Sequence, residues 1–152
     1  MATALRTRLF HLWFLISRPM TLGARGLVFD AGGRVMLVKH TYVPKWHLPG
    51  GGVEKGETAV ECLVRELGEE ANVELDSKPR LFGFYFNRQV QMRDHVAVYV
   101  CDGAKQTGEK KPDREIAAAR FFDLDNLPED ISPATLRRID EWRSGGRASD
   151  VW

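Results

Sequence analysis

Residues 51–73 read GGVEKGETAVECLVRELGEEANV, centred on Arg65-Glu66-Leu67-Gly68-Glu69-Glu70. Glu66, Glu69 and Glu70 stand at i, i+3 and i+4, a spacing that puts three carboxylates on one face of a helix turning once per about 3.6 residues. Like charges so placed repel, at roughly a few tenths of a kcal/mol per pair in an isolated helix. A hard divalent cation converts that repulsion into ligation, because Mg2+ takes oxygen ligands and is usually held by a few carboxylates together with substrate phosphates. The cluster points to metal-dependent chemistry on phosphates.

The flanking residues also predict a helix. Val60, Leu63, Val64, Leu67 and Ala71 recur at helical spacing and predict an apolar stripe away from the carboxylates. Gly50, Gly51 and Gly52 precede it, Thr58 is placed to serve as N-cap, and Asn72 follows as a residue tolerant of the left-handed conformation that ends helices.

These residues resemble the Nudix box, G-x5-E-x7-R-E-U-x-E-E-x-G-U, in which U is a bulky aliphatic residue. Gly51 matches the first glycine, Glu57 the isolated glutamate, Arg65-Glu66 the RE pair, Leu67 the first U, Glu69-Glu70 the EE pair and Val73 the last U. Asn72 replaces the final glycine, which bears on the helix stop more than on the chemistry. Leu48-Pro49-Gly50-Gly51-Gly52 resembles the approach to that box. Many fixed positions at fixed spacing separate this pattern from a solvated acidic helix face.

The rest of the chain is read outward from the box. With 152 residues, one domain large enough to bury a core without disulfides is expected. The net charge of +1, from 22 basic and 21 acidic residues, provides no global field for nucleic acid. Cys62 and Cys101 lack metal-ligand spacing and read as packed thiols of a reducing compartment, so a cytoplasmic location is expected. Residues 1–21 form an apolar helical segment: Leu9-Phe10-His11-Leu12-Trp13-Phe14-Leu15-Ile16 is flanked by Arg6, Arg8 and Arg18. This run falls short of the ~20 residues that span a bilayer, so no stable membrane insertion is expected. A helix packed on the domain or on a second subunit is expected, which makes a homodimer a candidate assembly; peripheral contact of its aromatics and arginines with a membrane is the alternative.

Gly26 to Asp30 and Arg34 to His40 predict a hairpin around Ala31-Gly32-Gly33. Arg80 to Asn87 places Phe82, Phe84 and Phe86 on one face, and Asp94 to Cys101 does the same for Val96, Val98 and Val100. Gly103 to Asp113 reads as a flexible loop and Ala119 to Leu124 as a short strand. Ser132-Pro133 opens a final helix whose buried stripe is predicted at Leu136, Ile139 and Trp142. This order resembles the Nudix fold, of the α/β (α+β) class, a mixed β-sheet sandwiched between helices; residues 22–152 are assigned to that domain.

The resemblance implies an Mg2+-dependent hydrolase, with Mn2+ as a substitute, that cleaves a phosphoanhydride in a nucleoside diphosphate linked to another group, such as an ADP-ribose-like molecule, a nucleotide sugar or a nucleoside triphosphate. The partner is then a small-molecule nucleotide. Glu66, Glu69 and Glu70 are the candidate metal ligands, with the Gly51 carbonyl as a further oxygen, and Glu66 and Glu69 are the candidate catalytic carboxylates. Glu57 and Arg65 are assigned an ion pair supporting the site. Glu115 is a candidate additional ligand or base, and Asp94 and Asp113 are weaker ones. Tyr42, Phe84 and Tyr85 are stacking candidates that the core also claims, and Trp46 reads as packing. His40 and His47 have no partner carboxylate at an interpretable spacing. Lys39, Lys45 and Arg88 could face phosphate, and substrate discrimination is assigned to the loops around Tyr42, Gln89–Arg93 and Gly103–Asp113. Two other classes fit the scaffold: a catalytically silent nucleotide-binding or regulatory domain, which calls for a broken carboxylate set, and an isomerase or transferase, which calls for a further catalytic group.

Overall fold

The computed structural model describes residues 2–89, 92–146 and 149–152, with side chains from Arg6 onward. Val90 and Gln91 of the Gln89–Arg93 stretch, and Met1 of the N-terminal segment, lie outside the described residues. In chain order the elements are α1 (Ala2–Ser17), β1 (Thr21–Val28), β2 (Val35–His40), β3 (Trp46–His47), β4 (Gly50–Gly52), α2 (Ala59–Ala71), β5 (Val73–Leu75), β6 (Arg80–Asn87), β7 (Asp94–Cys101), β8 (Ala104–Gln106), β9 (Ile116–Phe122) and α3 (Pro133–Arg143).

A four-stranded mixed sheet has the order β4-β1-β7-β6, with β1 and β7 parallel and the outer pairings antiparallel. A three-stranded antiparallel sheet has the order β3-β2-β9, and β5 pairs with β8. Helices cover the two sides of this layer. Alternate strand residues Ala24, Val28, Met36 and Val38 pack with Cys62, Leu63, Leu67 and Ala71 of α2. The opposite alternation, Leu27, Phe29, Val35 and Leu37, joins Val96, Val98 and Val100 against Ile139 and Trp142 of α3. Strands buried on both faces lose the one-sided pattern that an exposed sheet would show.

Several expectations are corrected by this packing. The predicted hairpin shrinks to one bridge, Phe29 with Val35, plus a turn in which the Asp30 amide donates to Arg34 O at 3.1 Å. Beyond it β1 and β2 diverge into different sheets, because β1 finds an eight-residue parallel partner in β7. On α2, Val64 is 47% exposed, and the buried face is instead Cys62, Leu63, Leu67, Glu70 and Ala71. On α3, Leu136 turns outward while Thr135, Arg138 and Ile139 turn in. In β6 a register shift between Leu81 and Gly83 leaves Phe84 exposed and buries Tyr85 and Asn87. The stretch from Gly103 to Asp113 is ordered in part as β8, tied to the end of α2 through Asn72 O, which accepts from the Thr107 amide at 2.8 Å. Cys62 and Cys101 are free and buried, as read from their spacing.

Asn72 ends α2 in the left-handed region at φ 52° and ψ 39°. Its Nδ2 donates to Gly108 O and Glu109 O, each at 3.3 Å, a contact that glycine cannot make. The departure from the box therefore couples the helix stop to the following loop. Asn72→Ala is expected to cost about 1–2 kcal/mol, since alanine carries the left-handed penalty without those bonds, and Asn72→Gly less; urea unfolding midpoints of the two variants would measure this.

α1 forms as predicted but does not pack on the domain. Leu9, Phe10, Leu12, Trp13, Leu15 and Ile16 are each 54–73% exposed. Among the described residues, no helix is long and apolar enough to cross a membrane.

Candidate active site

The carboxylate face is set by how α2 begins. Thr58 Oγ1 accepts from the Glu61 amide at 3.2 Å and Glu61 Oε2 accepts from the Thr58 amide at 2.7 Å, a capping box that fixes the first turn. Antiparallel pairing of β4 with β1 then lays the glycine strand against the helix. Gly50 has φ 134°, and a Cβ there would collide with Ala24 O. At Gly51 a Cβ would land on the Glu66 carboxylate, so glycine is what lets the backbone touch that group.

Arg65 is the hub of the exposed side. Its Nη2 lies 2.9 Å from Glu57 Oε1, its Nη1 lies 2.9 Å from Glu66 Oε1 and 3.3 Å from Glu69 Oε2, and its Nε donates to Glu57 Oε2 at 3.2 Å. Glu57 also accepts from the Glu54 amide at 2.7 Å. Its hydrogen bonds from Arg65, and then from that amide, hold the carboxyl well below the usual range, at about 2. The loop before α2 is thereby tied to the middle of the helix. Glu61 is occupied by the cap, and it stays exposed.

Glu70 turns to the buried side. It is 7% exposed, and its Oε2 accepts from the Gly50 amide at 2.8 Å. Burial pushes its carboxyl up to about 7, against the pull of that amide and of Arg25. Arg25 donates to Gly50 O at 2.5 Å and to Leu48 O at 3.1 Å, which holds the glycine strand from below. His40 Nε2 stands 3.6 Å from Glu70 Oε1, a carboxylate neighbour that no spacing in the sequence indicates. A separation of 30 residues between strand and helix carries no periodic signal. Burial, then Arg25 and His47, lower His40 to about 4, which leaves the imidazole neutral at pH 7. Its Nδ1 is buried with no hydrogen-bond partner among the described residues.

Glu115 arrives from the other direction. Asp113 Oδ1 accepts from the amides of Glu115 and Ile116 at 2.9 and 2.8 Å, and Lys110 pairs with Asp113 at 2.6 Å while donating to Glu69 O at 2.8 Å. Lys110, followed by the two amides, holds the Asp113 carboxyl far below its ordinary range. Asp113 thus shapes the turn that presents Glu115. Glu66, Glu69, Glu70, Asp113 and Glu115 line one cleft of about 330 Å3. As placed, among the described residues no three acidic, histidine or cysteine side chains stand close enough to enclose an ion, and Arg65 bonds Glu66 and Glu69.

A second hollow of about 380 Å3 adjoins it where His40 meets Glu70 and Gly51 meets Glu66. Arg25, His40, Tyr42, His47, Asn87 and Asp94 supply its polar lining, and Trp152 closes one wall. Asp94 lies here, away from the carboxylate cleft, and accepts from Thr21 Oγ1 at 2.7 Å and Asn87 Nδ2 at 3.0 Å. Of the stacking candidates only Tyr42 lines this hollow; Tyr85 is wholly buried and Phe84 stacks on His95 on the outer sheet face. Lys39 is paired with Asp130 at 2.7 Å and Arg88 lies over Phe86. Sequence reasoning missed Arg25, Asn87 and Trp152, which carry no motif and meet only through the fold.

The chain is similar to known proteins. The NUDIX domain family model matches residues 19–142. A Bacillus subtilis (strain 168) protein named "Putative 8-oxo-dGTP diphosphatase" is 32% identical over 133 residues, covering 86% of this chain and 85% of its own length. The ADP-ribose pyrophosphatase of Methanocaldococcus jannaschii is 35% identical over 106 residues, covering 66% of this chain and 61% of its own. The crystal structure of an ADP-ribose pyrophosphatase from Streptococcus suis 89-1591 superposes with a TM-score of 0.61 at 25% identity, covering 87% of this chain and 95% of that one. The chain belongs to the Nudix family. By class it is a Nudix-type pyrophosphohydrolase.

Proposed function

We propose that this enzyme hydrolyses a phosphoanhydride in a nucleoside diphosphate linked to another group, in a Mg2+-dependent reaction. The observation that carries the reading is the convergence of Glu66, Glu69, Glu70 and Glu115 on one cleft beside a hollow of small-molecule size. The donors fit a hard cation. They are carboxylate oxygens, with the Gly51 carbonyl as the further oxygen; Arg65 engages Glu66 Oε1 and Glu69 Oε2, which leaves Glu66 Oε2, Glu69 Oε1 and Glu70 to offer. A bound divalent cation would offset the charge of the phosphate oxygens and acidify water.

The chain's own groups supply the rest. Glu66 or Glu69 accepts the proton of the attacking water. The Gly50 amide holds one Glu70 oxygen at 2.8 Å, fixing that carboxylate's direction, and His40 stands 3.6 Å from the other. Glu57 holds Arg65, and Arg65 holds the acidic face against the glycine strand through Gly52 O. Arg25, Asn87 and Tyr42 line the hollow where the nucleoside would bind.

Product release from ADP-ribose, a nucleotide sugar, oxidised and ordinary nucleoside triphosphates and a dinucleoside polyphosphate, with Mg2+, Mn2+ or EDTA, tests the proposal. ADP-ribose and an oxidised nucleoside triphosphate head the panel because relatives bear those names. Turnover is expected with Mg2+ and none with EDTA. Turnover indifferent to EDTA sinks the metal reading, and tight binding of a nucleotide without turnover favours the silent domain.

A further inference from the structure

We propose that α1 is a peripheral anchor that lays this enzyme on an anionic lipid surface. The helix precedes the residues 19–142 that the family model matches. Leu9, Leu12, Trp13 and Ile16 fall at i, i+3, i+4 and i+7 and form one continuous stripe, with Leu15 beside it. Each is more than half exposed, and nothing else among the described residues covers them. Phe10 and Phe14 are partly engaged with each other at 4.6 Å between ring centroids, and Arg18 lies over Phe14 at 4.9 Å. The uncovered apolar surface is therefore the leucine, isoleucine and tryptophan stripe, widened past Trp13 by Phe10, which is itself 58% exposed.

Charge decides what fits it. Arg6, Arg8 and Arg18 are the charged side chains of residues 1–18, and no acidic residue occurs before Asp30. Arg6 borders the stripe on the Trp13 side and Arg8 on the Leu12 side of a helical wheel. Arginine stems can then lie along the apolar boundary with their guanidinium groups at phosphate level. A second copy of α1 would bring the same positive charges together with no carboxylate between them, whereas an anionic headgroup layer complements both features. At 1.5 Å per residue the helix is about 24 Å long, too short to span the ~30 Å hydrocarbon core, so it lies in the interface plane.

The test is co-sedimentation of the full chain with phosphatidylcholine vesicles, alone or containing phosphatidylglycerol. Binding is expected to be roughly 100-fold tighter on the anionic vesicles, as three arginines contribute, and to weaken with added salt. Leu12→Glu with Ile16→Glu should abolish binding. Arg6→Glu with Arg8→Glu should remove the preference for phosphatidylglycerol. Because α1 touches neither hollow, both variants keep wild-type turnover in solution, which confirms that they are folded. Failure of the wild-type chain to bind either vesicle overturns the proposal, as does equal binding to both. A concentration-dependent dimer in analytical ultracentrifugation that Leu12→Glu with Ile16→Glu dissolves, without vesicle binding, assigns the stripe to a second copy instead.

Discussion

Glu66→Gln is expected to lower kcat by about 10²–10⁴-fold, the range for loss of a positioned proton acceptor. The glutamine keeps the shape and one oxygen to accept from Arg65, which now lies 2.9 Å away, but it loses both the charge and the basicity. Glu70→Gln should fall in the same direction for a different reason. The amide oxygen can still accept from the Gly50 amide at 2.8 Å, so the fold is kept while a ligand charge disappears from a buried position. Glu61→Gln is the control, because that carboxylate is committed to the helix cap. Steady-state rates at saturating substrate and Mg2+, with thermal midpoints recorded beside them, separate chemistry from folding. Wild-type kcat in both Glu66→Gln and Glu70→Gln would remove the acidic face from the mechanism.

Glu141→Ala is expected to cost about 3–5 kcal/mol of stability, the range for stripping one partner from a buried ion pair. Arg138 is wholly buried in α3, and its Nη2 lies 2.8 Å from Glu141 Oε1. The same guanidinium stacks 4.1 Å from the Tyr85 ring centroid and donates to Val151 O at 3.2 Å, while Tyr85 Oη donates to Glu141 Oε2 at 3.0 Å. Removing Glu141 leaves a positive charge in the core with Nε already unpartnered among the described residues. Replacing both partners, as Arg138→Met with Glu141→Leu, should cost much less, since two apolar groups leave no charge to desolvate. Urea unfolding of the three proteins checks the order. A loss under about 1 kcal/mol in Glu141→Ala would place the pair with exposed bridges instead. Trp152 also faces Arg138, at 5.5 Å, so the less stable variant should loosen the wall of the larger hollow as well.

The helix carrying Glu66, Glu69 and Glu70 was legible from its own residues because cap, stripe and stop all lie within one stretch of chain. Thr58 and Asn72 do what their side chains dictate locally. Val64 was misplaced because the buried arc of α2 is turned toward Cys62 and Glu70 by what packs on it, and period alone does not choose between adjacent arcs. The predicted hairpin failed for a similar reason. Local turn chemistry brings Phe29 and Val35 together, but the eight-residue match of β1 to β7 outcompetes it. Phe84 and Phe86 share the face that meets His95, but the register shift between Leu81 and Gly83 sends Phe82 to the Tyr85 side, and which face is core depends on α3 and the residues 149–152 covering that side.

The sequence by itself determined the family, the acidic helix face and the residues at its two ends, because those rest on short-range spacing. Only the tertiary structure decided that Glu70 is buried while Glu69 is exposed, that His40 faces Glu70, that Glu115 reaches the same cleft, and that Arg25, Asn87 and Trp152 help to shape the hollow beside it. Each of these joins residues far apart in the chain, and such meetings are set by strand pairing and packing rather than by any local preference. The stripe on α1 belongs to both: its apolar spacing is written in the chain, and that the domain leaves it uncovered is known only from the fold.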